Sequence, residues 1–368
     1  MKRSLPFILV IFLLIGLLLT FKYKLNKDLS QPVNTPVAMN GRASISTIQI
    51  KPGKETRTSL FIPYWTLTDE QIGTNGFDSF IYFGIKPDKE GISKTEQEEK
   101  NLEQFNEMLP SDSRKLLALR MTETGENLDI LSKPLLQQKI IDQTIKIAKD
   151  NNMQGIVLDL EISAIPFDSL TKSINKFTSE FYKSAKKARL SLALTFYGDT
   201  LYRARPYDVK TLSKNADTIM IMAYDLNKPS GNPGPNFPLK GREKFGYDAI
   251  KMTDDFLEFI PPEKISVVFG LFGYDWMVNE KGNGLEEAQA LTLSQIKQKF
   301  IDPAKQDKFI NLVLSRDRDA GESQIQYLDL ENRKHIVWFE DMESVKKKEE
   351  YLKSRGINAF SYWAYSYF

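Results

Sequence analysis

Eight short apolar runs, spaced by segments of helical character, constrain this chain of 368 residues more than any other feature. They are LFIPYW (Leu60–Trp65), FDSFIYFGI (Phe77–Ile85), KLLALRM (Lys115–Met121), GIVLDLEIS (Gly155–Ser163), SLALTFYGD (Ser191–Asp199), DTIMIMAYDL (Asp217–Leu226), KISVVFGLFGYDW (Lys264–Trp276) and INAFSYWAY (Ile357–Tyr365). Between them the pattern predicts helices at Asn101–Leu109, after a Ser132 cap with Pro134 in the first turn, from an Asp168 cap, from about Asp248 to Ile260, and at Ser344–Arg355. Strand-then-helix repetition argues for a parallel sheet with right-handed crossovers. Eight is the strand count of a closed (β/α)8 TIM barrel. The competing open, doubly wound sheet usually carries a glycine-rich phosphate loop after its first strand; here that strand ends in Tyr64-Trp65. The expected fold is therefore α/β, a TIM barrel over residues 60–368.

Two stretches depart from the repeat. Roughly sixty residues separate the seventh strand from the last helix, too many for a plain connection. They read as a small α+β insertion at about 278–342, with a helix near Thr292–Phe300 and strand-like runs at Phe309–Arg316, Gln324–Leu330 and His335–Phe339. The loop KPSGNPGPNFPLKG (Lys228–Gly241) holds four prolines and three glycines, and at a catalytic face it would wall a cleft.

The chain has no cysteine and a single histidine, His335, which removes thiol chemistry, thiolate zinc sites and any triad needing a second histidine. Proton transfer would fall to Asp, Glu, Tyr or Lys, and no metal or organic cofactor is expected. Five basic residues and one acid lie in the first 28 residues, a local charge of +4 that leaves −2 of the overall +2 for the rest. No basic excess remains to hold a nucleic acid. Leu5–Phe21 is uncharged, flanked by Lys2, Arg3, Lys22 and Lys24, and followed by no small-residue cleavage site. It is expected to be an uncleaved signal anchor (1–25) that leaves the bulk of a single-pass, membrane-anchored chain extracytoplasmic, at the cell surface. Residues 26–59 read as a polar linker, with a short strand at Ile45–Ile50. A monomer is expected.

In GIVLDLEIS the acids Asp159 and Glu161 alternate, so on a strand both leave one face near its C-terminal end, where barrels of this kind place their chemistry. Other strand ends bring aromatics and a further acid: Tyr64 and Trp65, Tyr224 and Asp225, and Trp363. Acids and aromatic faces around one mouth suit a carbohydrate site.

GIVLDLE resembles the DGxDxDxE signature of glycoside hydrolase family 18, the chitinase family. MAYD (Met222–Asp225) is similar to that family's strand-six motif, and SYWAY supplies its strand-eight Trp. GYDW (Gly273–Trp276) and HIVWFEDMES (His335–Ser344) resemble its spore-cortex and peptidoglycan N-acetylglucosaminidase branch. Gln154 and Val157 stand where the signature has its first two acids, and ALRMTE replaces the usual Ser-x-Gly-Gly of strand three. The resemblance implies a retaining, substrate-assisted glycosidase acting on an N-acetylated glycan polymer, peptidoglycan or chitin-like. It implies Glu161 as general acid, Asp159 as the residue assisting the acetamido nucleophile, and Tyr224 as its hydrogen-bond partner. Trp363, Asp225, Met222 and Tyr64 would bind substrate. The alternative is a catalytically weak glycan-binding module on the same barrel.

Overall fold

The computed structural model describes residues 55–72, 76–92, 95–302 and 308–368. Leu5–Phe21 and nearly all of the expected linker, Ile45–Ile50 included, lie outside them. Among the described residues no helix is long and apolar enough to cross a membrane.

The chain forms β1 (Arg57–Pro63), β2 (Ser79–Ile85), β3 (Lys115–Met121), β4 (Gly155–Leu160), β5 (Ser191–Tyr197), β6 (Thr218–Ala223) and β7 (Ile265–Gly270). Next come β8 (Phe272–Val278), β9 (Gln289–Thr292), β10 (Ile310–Arg316), β11 (Ser323–Leu328) and β12 (Lys334–Phe339), and last β13 (Ala359–Trp363). The strands β1, β13, β7, β6, β5, β4, β3 and β2 pair in that order and close into a barrel. Its pairs are parallel, among them β3 with β4, which sets Arg120 opposite Asp159. The helices of eight residues or more are α1 (Glu96–Glu107), α2 (Thr124–Leu131), α3 (Pro134–Asp150), α4 (Asp168–Lys187), α5 (Ala249–Leu257) and α6 (Met342–Ser354).

Each barrel strand buries both faces, which is why its sequence reads as an unbroken apolar run. One face packs outward against the helices: Ile156, Leu158 and Leu160 of β4 join Ile140, Ile141 and Ala148 of α3 and Phe177 and Phe181 of α4. The other fills the lumen with Phe61, Ile81, Phe83, Leu116, Ala118, Val157, Ala193, Met220, Met222 and Val268. At about 1.5–3 kcal/mol per fully buried large side chain, these layers hold the barrel together and leave no place for an unpartnered charge.

Several boundaries differ from expectation. Tyr64 and Trp65 lie in a 3-10 turn after Pro63 rather than in β1. Helix α1 begins at Glu96, ahead of Asn101, because Thr95 and Glu98 form a reciprocal capping box. Ser132 ends α2 and does not start α3, whose first residue is Pro134. Asp168 is the first residue of α4, with Phe167 at the cap position. The seventh strand stops at Gly270, where an added Cβ would sit 2.4 Å from the Phe272 ring and 2.9 Å from Tyr224 Cβ. GYDW therefore belongs to β8, the start of the insertion.

The insertion is a five-stranded sheet in the order β10-β11-β12-β8-β9, antiparallel throughout. It begins six residues earlier than expected because β8 pairs with β12 from Gly273 onward. Its junction with the barrel is a buried ion cluster. Lys348 Nζ on α6 lies 2.8 Å from Glu322 Oε1 and 2.5 Å from Glu340 Oε2, all three side chains fully enclosed. Glu322 also accepts the backbone N–H groups of Asn236 (2.6 Å) and Phe237 (2.8 Å), which fastens the proline-rich loop to the insertion.

Candidate active site

Strand β4 carries the centre of the site. Val157 is packed in the barrel lumen, and alternation along the strand places Asp159 and then Glu161 above it on the same face. Asp159 is 3% exposed, and its Oδ1 accepts from Thr195 Oγ1 at 2.6 Å. Glu161 follows the strand end. Its backbone N–H donates to Met121 O at 2.8 Å, and its carbonyl accepts from Asn127 Nδ2 at 2.8 Å. Tyr207 Oη takes the next N–H, that of Ile162, at 2.6 Å and donates to Leu160 O at 2.8 Å. The backbone beneath Glu161 is thus pinned from three sides. Glu161 Oε2 accepts from Tyr197 Oη at 2.7 Å.

Burial disfavours the charged form of both acids. Asp159 is pushed up to about 6, against the opposing pull of its Thr195 hydrogen bond and the Arg120 charge. Glu161 is pushed up to about 8, by burial first and then by the neighbouring Asp159 charge. Glu161 therefore holds its proton to higher pH than Asp159. Two carboxyls with separated affinities suit one acid donor and one charged neighbour.

The end of β6 supplies the far wall. Met222 packs in the lumen, and the Tyr224 ring meets Phe272 edge-on at 5.8 Å. Burial, with the charges of Asp159 and Glu161, raises the Tyr224 phenol well above its ordinary value, so it stays protonated. Asp225 adopts a left-handed backbone, φ 58°. Its N–H donates to Asn236 Oδ1 at 2.8 Å, and its Oδ1 accepts from Tyr274 Oη at 2.7 Å. Burial raises the Asp225 carboxyl.

Aromatic rings form the floor. Trp363, at the end of β13, lies 4.7 Å from Phe83, 5.6 Å from Phe61 and 6.2 Å from Trp65, centroid to centroid. Tyr64, 41% exposed, packs edge-on to Trp65 at 5.0 Å. The rim aromatic that touches Trp363 is thus Trp65, with Tyr64 beside it.

The structure brings Asp159, Glu161, Tyr224, Asp225, Met222 and Trp363 to one end of the barrel, with Tyr64 at its rim. Sequence reasoning missed Thr195 and Tyr197, although they alternate with the lumen residue Ala193 on β5 and share its parity. It also missed Arg205, which lies over Tyr197 and donates to Asp199 Oδ1 through Nε (3.0 Å) and an amino group (2.6 Å). Arg120, Asn236 and Tyr274 lie in the ALRMTE, proline-rich and GYDW stretches but were not singled out, since their roles depend on strand register and on the insertion.

Comparison with known proteins bears on the fold and the family. The model of the family "Glycosyl hydrolases family 18" matches residues 60–367. The cortical fragment-lytic enzyme of Bacillus anthracis is 26% identical over 333 residues, covering 86% of this chain and 69% of that protein. The human di-N-acetylchitobiase is 22% identical over 254 residues, 62% of each chain. Among solved structures, the Bacillus cereus spore cortex-lytic enzyme SleL superposes with a TM-score of 0.65 at 18% identity, covering 86% of this chain and 72% of that one. The family 18 chitinase from Cycas revoluta in complex with (GlcNAc)3 gives 0.70 at 20%, covering 84% and 94%. A family match over this span, on an eight-stranded parallel barrel with acids at its mouth, makes the chain a glycosidase belonging to glycosyl hydrolase family 18.

Proposed function

We propose that the protein cleaves N-acetylglucosamine linkages in a cell-wall polymer, peptidoglycan above all, by a retaining mechanism in which the substrate's own acetamido group is the nucleophile. The observation that carries this reading is the pairing of a proton-holding Glu161, fixed by Tyr197, with a more acidic Asp159 on the same strand face.

Tyr197 donates to Oε2 of Glu161, leaving Oε1 to carry the proton to the glycosidic oxygen. As the C1–O bond breaks, the 2-acetamido oxygen attacks C1, forming an oxazolinium-like ring. Asp159, charged, accepts the acetamido N–H and balances the developing positive charge. Tyr224 donates to the acetamido oxygen and keeps it aimed. Water then opens the ring, with Glu161 acting as base and regaining its proton. Trp363 stacks under the reacting sugar, while Asp225, Met222 and Tyr64 shape its pocket. The cortical fragment-lytic relatives favour peptidoglycan over chitin. The uncharged Leu5–Phe21 run is read as an anchor that holds a monomeric catalytic domain at the cell surface.

The test is to incubate the protein with purified peptidoglycan and with chitin oligomers and to weigh the fragments. Products ending in N-acetylglucosamine support the proposal. Binding without cleavage by wild type and Glu161→Gln alike transfers the assignment to a glycan-binding module.

A further inference from the structure

Arg120 extends from β3 into the mouth of the barrel on the lumen side, with the parity of Leu116 and Ala118 and in register with Asp159. Three rings surround its guanidinium: Phe83 at 5.1 Å, Tyr64 at 5.2 Å and Trp65 at 5.9 Å from carbon to centroid. Trp65 and Phe83 are the same rings that pack on Trp363. The guanidinium has five donors in a fixed fork, and among the described residues its buried Nε has no acceptor. Every other arginine near the site spends its charge: Arg205 and Arg203 both pair with Asp199. The Arg120 charge acts on Asp159 across the strand pair, but a buried donor left without an acceptor is costly, and rings hold a guanidinium by its face while leaving its edge donors free for a ligand.

We propose that Arg120 is a specificity residue that takes a carboxylate carried by the glycan, either on a 3-O-carboxyethyl sugar substituent or on a peptide attached to it. This rests on the glycosidase reading for the placement of the glycan but is tested by binding alone. A planar fork matches a carboxylate through two parallel hydrogen bonds, which a neutral N-acetylglucosamine chain does not offer. The site would thus separate acidic cell-wall glycan from chitin at a position where the sequence departs from its family's usual strand-three motif.

The experiment titrates the full chain, Arg120→Met and Arg120→Lys with three oligosaccharides of equal length. One is neutral, one carries free 3-O-carboxyethyl groups, and one has those groups amidated by a short acidic peptide. Wild type should bind at least one carboxylated oligomer ~10-fold or more tighter than the neutral one. The preferred oligomer identifies the carboxylate source. Arg120→Met should bring the ratio close to one, and Arg120→Lys should recover only part of it. No preference in wild type overturns the proposal, as does a ratio unchanged in Arg120→Met. Equal losses on all ligands, with a shifted acid limb of the pH profile, also overturn it, because Arg120 would then act through Asp159. A chain that shows the Arg120-dependent preference yet hydrolyses nothing sinks the glycosidase reading and keeps this one.

Discussion

The guanidinium carbon of Arg205 sits 3.9 Å from the ring centroid of Tyr197, and the hydroxyl of that same ring donates to Glu161. Arg205 is itself held by Asp199, so the orientation of the acid is set from outside the acidic pair. Tyr197→Phe removes a hydrogen bond that favours the charged form of Glu161. The Glu161 pKa should rise further, and the alkaline limb of the kcat/KM profile should move to higher pH. A limb that stays in place or moves down shows that Tyr197 does not address Glu161.

Glu161→Gln keeps the shape of the side chain and removes its proton. Turnover of an N-acetylglucosamine polymer should fall by ~10²–10⁴-fold, the usual scale of lost general acid catalysis, while oligosaccharide binding persists. Asp159→Asn should lower kcat as well. Wild type should fail on a substrate with a 2-hydroxyl in place of the 2-acetamido group, and equal cleavage of the two would exclude substrate assistance.

The same substitution has a consequence for stability. Glu161 is raised from the ordinary glutamate value of 4.5 to about 8 in the fold. Between those values the unfolded chain has already released the proton that the folded chain still holds. Stability therefore falls as pH rises through this window, by linkage. Glu161→Gln has no such proton to lose. Its Tm should gain on wild type from pH 5 to pH 8, measured by calorimetry in matched buffers, and a constant difference would refute the raised pKa.

Lys348→Met leaves Glu322 and Glu340 enclosed without their shared cation. Removing one partner of a buried ion pair costs about 3–5 kcal/mol, and a denaturant titration at neutral pH should show a loss on that scale. The loss should grow as pH rises above about 8, where Glu340 gives up the proton that burial lets it keep at neutral pH and comes to need the cation. A loss that is independent of pH would mean that packing, and not charge, sets the cost.

The barrel was legible because each strand is apolar on both faces, a pattern that depends on local composition alone. The acids Asp159 and Glu161 were legible for a related reason: alternation puts them together whatever the surroundings. Helix α1 was misplaced because its first turn is all polar and its start is marked only by Thr95 and Glu98. Thr195, Tyr197 and Arg120 are ordinary strand residues by type. Their meaning comes from the register of β3, β4 and β5 around a closed barrel, and register between distant strands leaves no trace in neighbouring residues. The left-handed Asp225 and its Asn236 partner share the connection after β6, and Asn236 is held there by Glu322 of the insertion, a relation of the same non-local kind.

The ion cluster at the root of the insertion also sets which parts of the molecule can open separately. The amide hydrogens of Asn236 and Phe237 end on Glu322, outside the barrel ladder, and the Asn236 side chain bears on Asp225 within the site. Their exchange with solvent deuterium is therefore governed by release of the insertion, not by fraying of β6. The two amides should exchange in step with those of β11 and β12, and Lys348→Met should accelerate all of them together, by more than it accelerates the amides of β4.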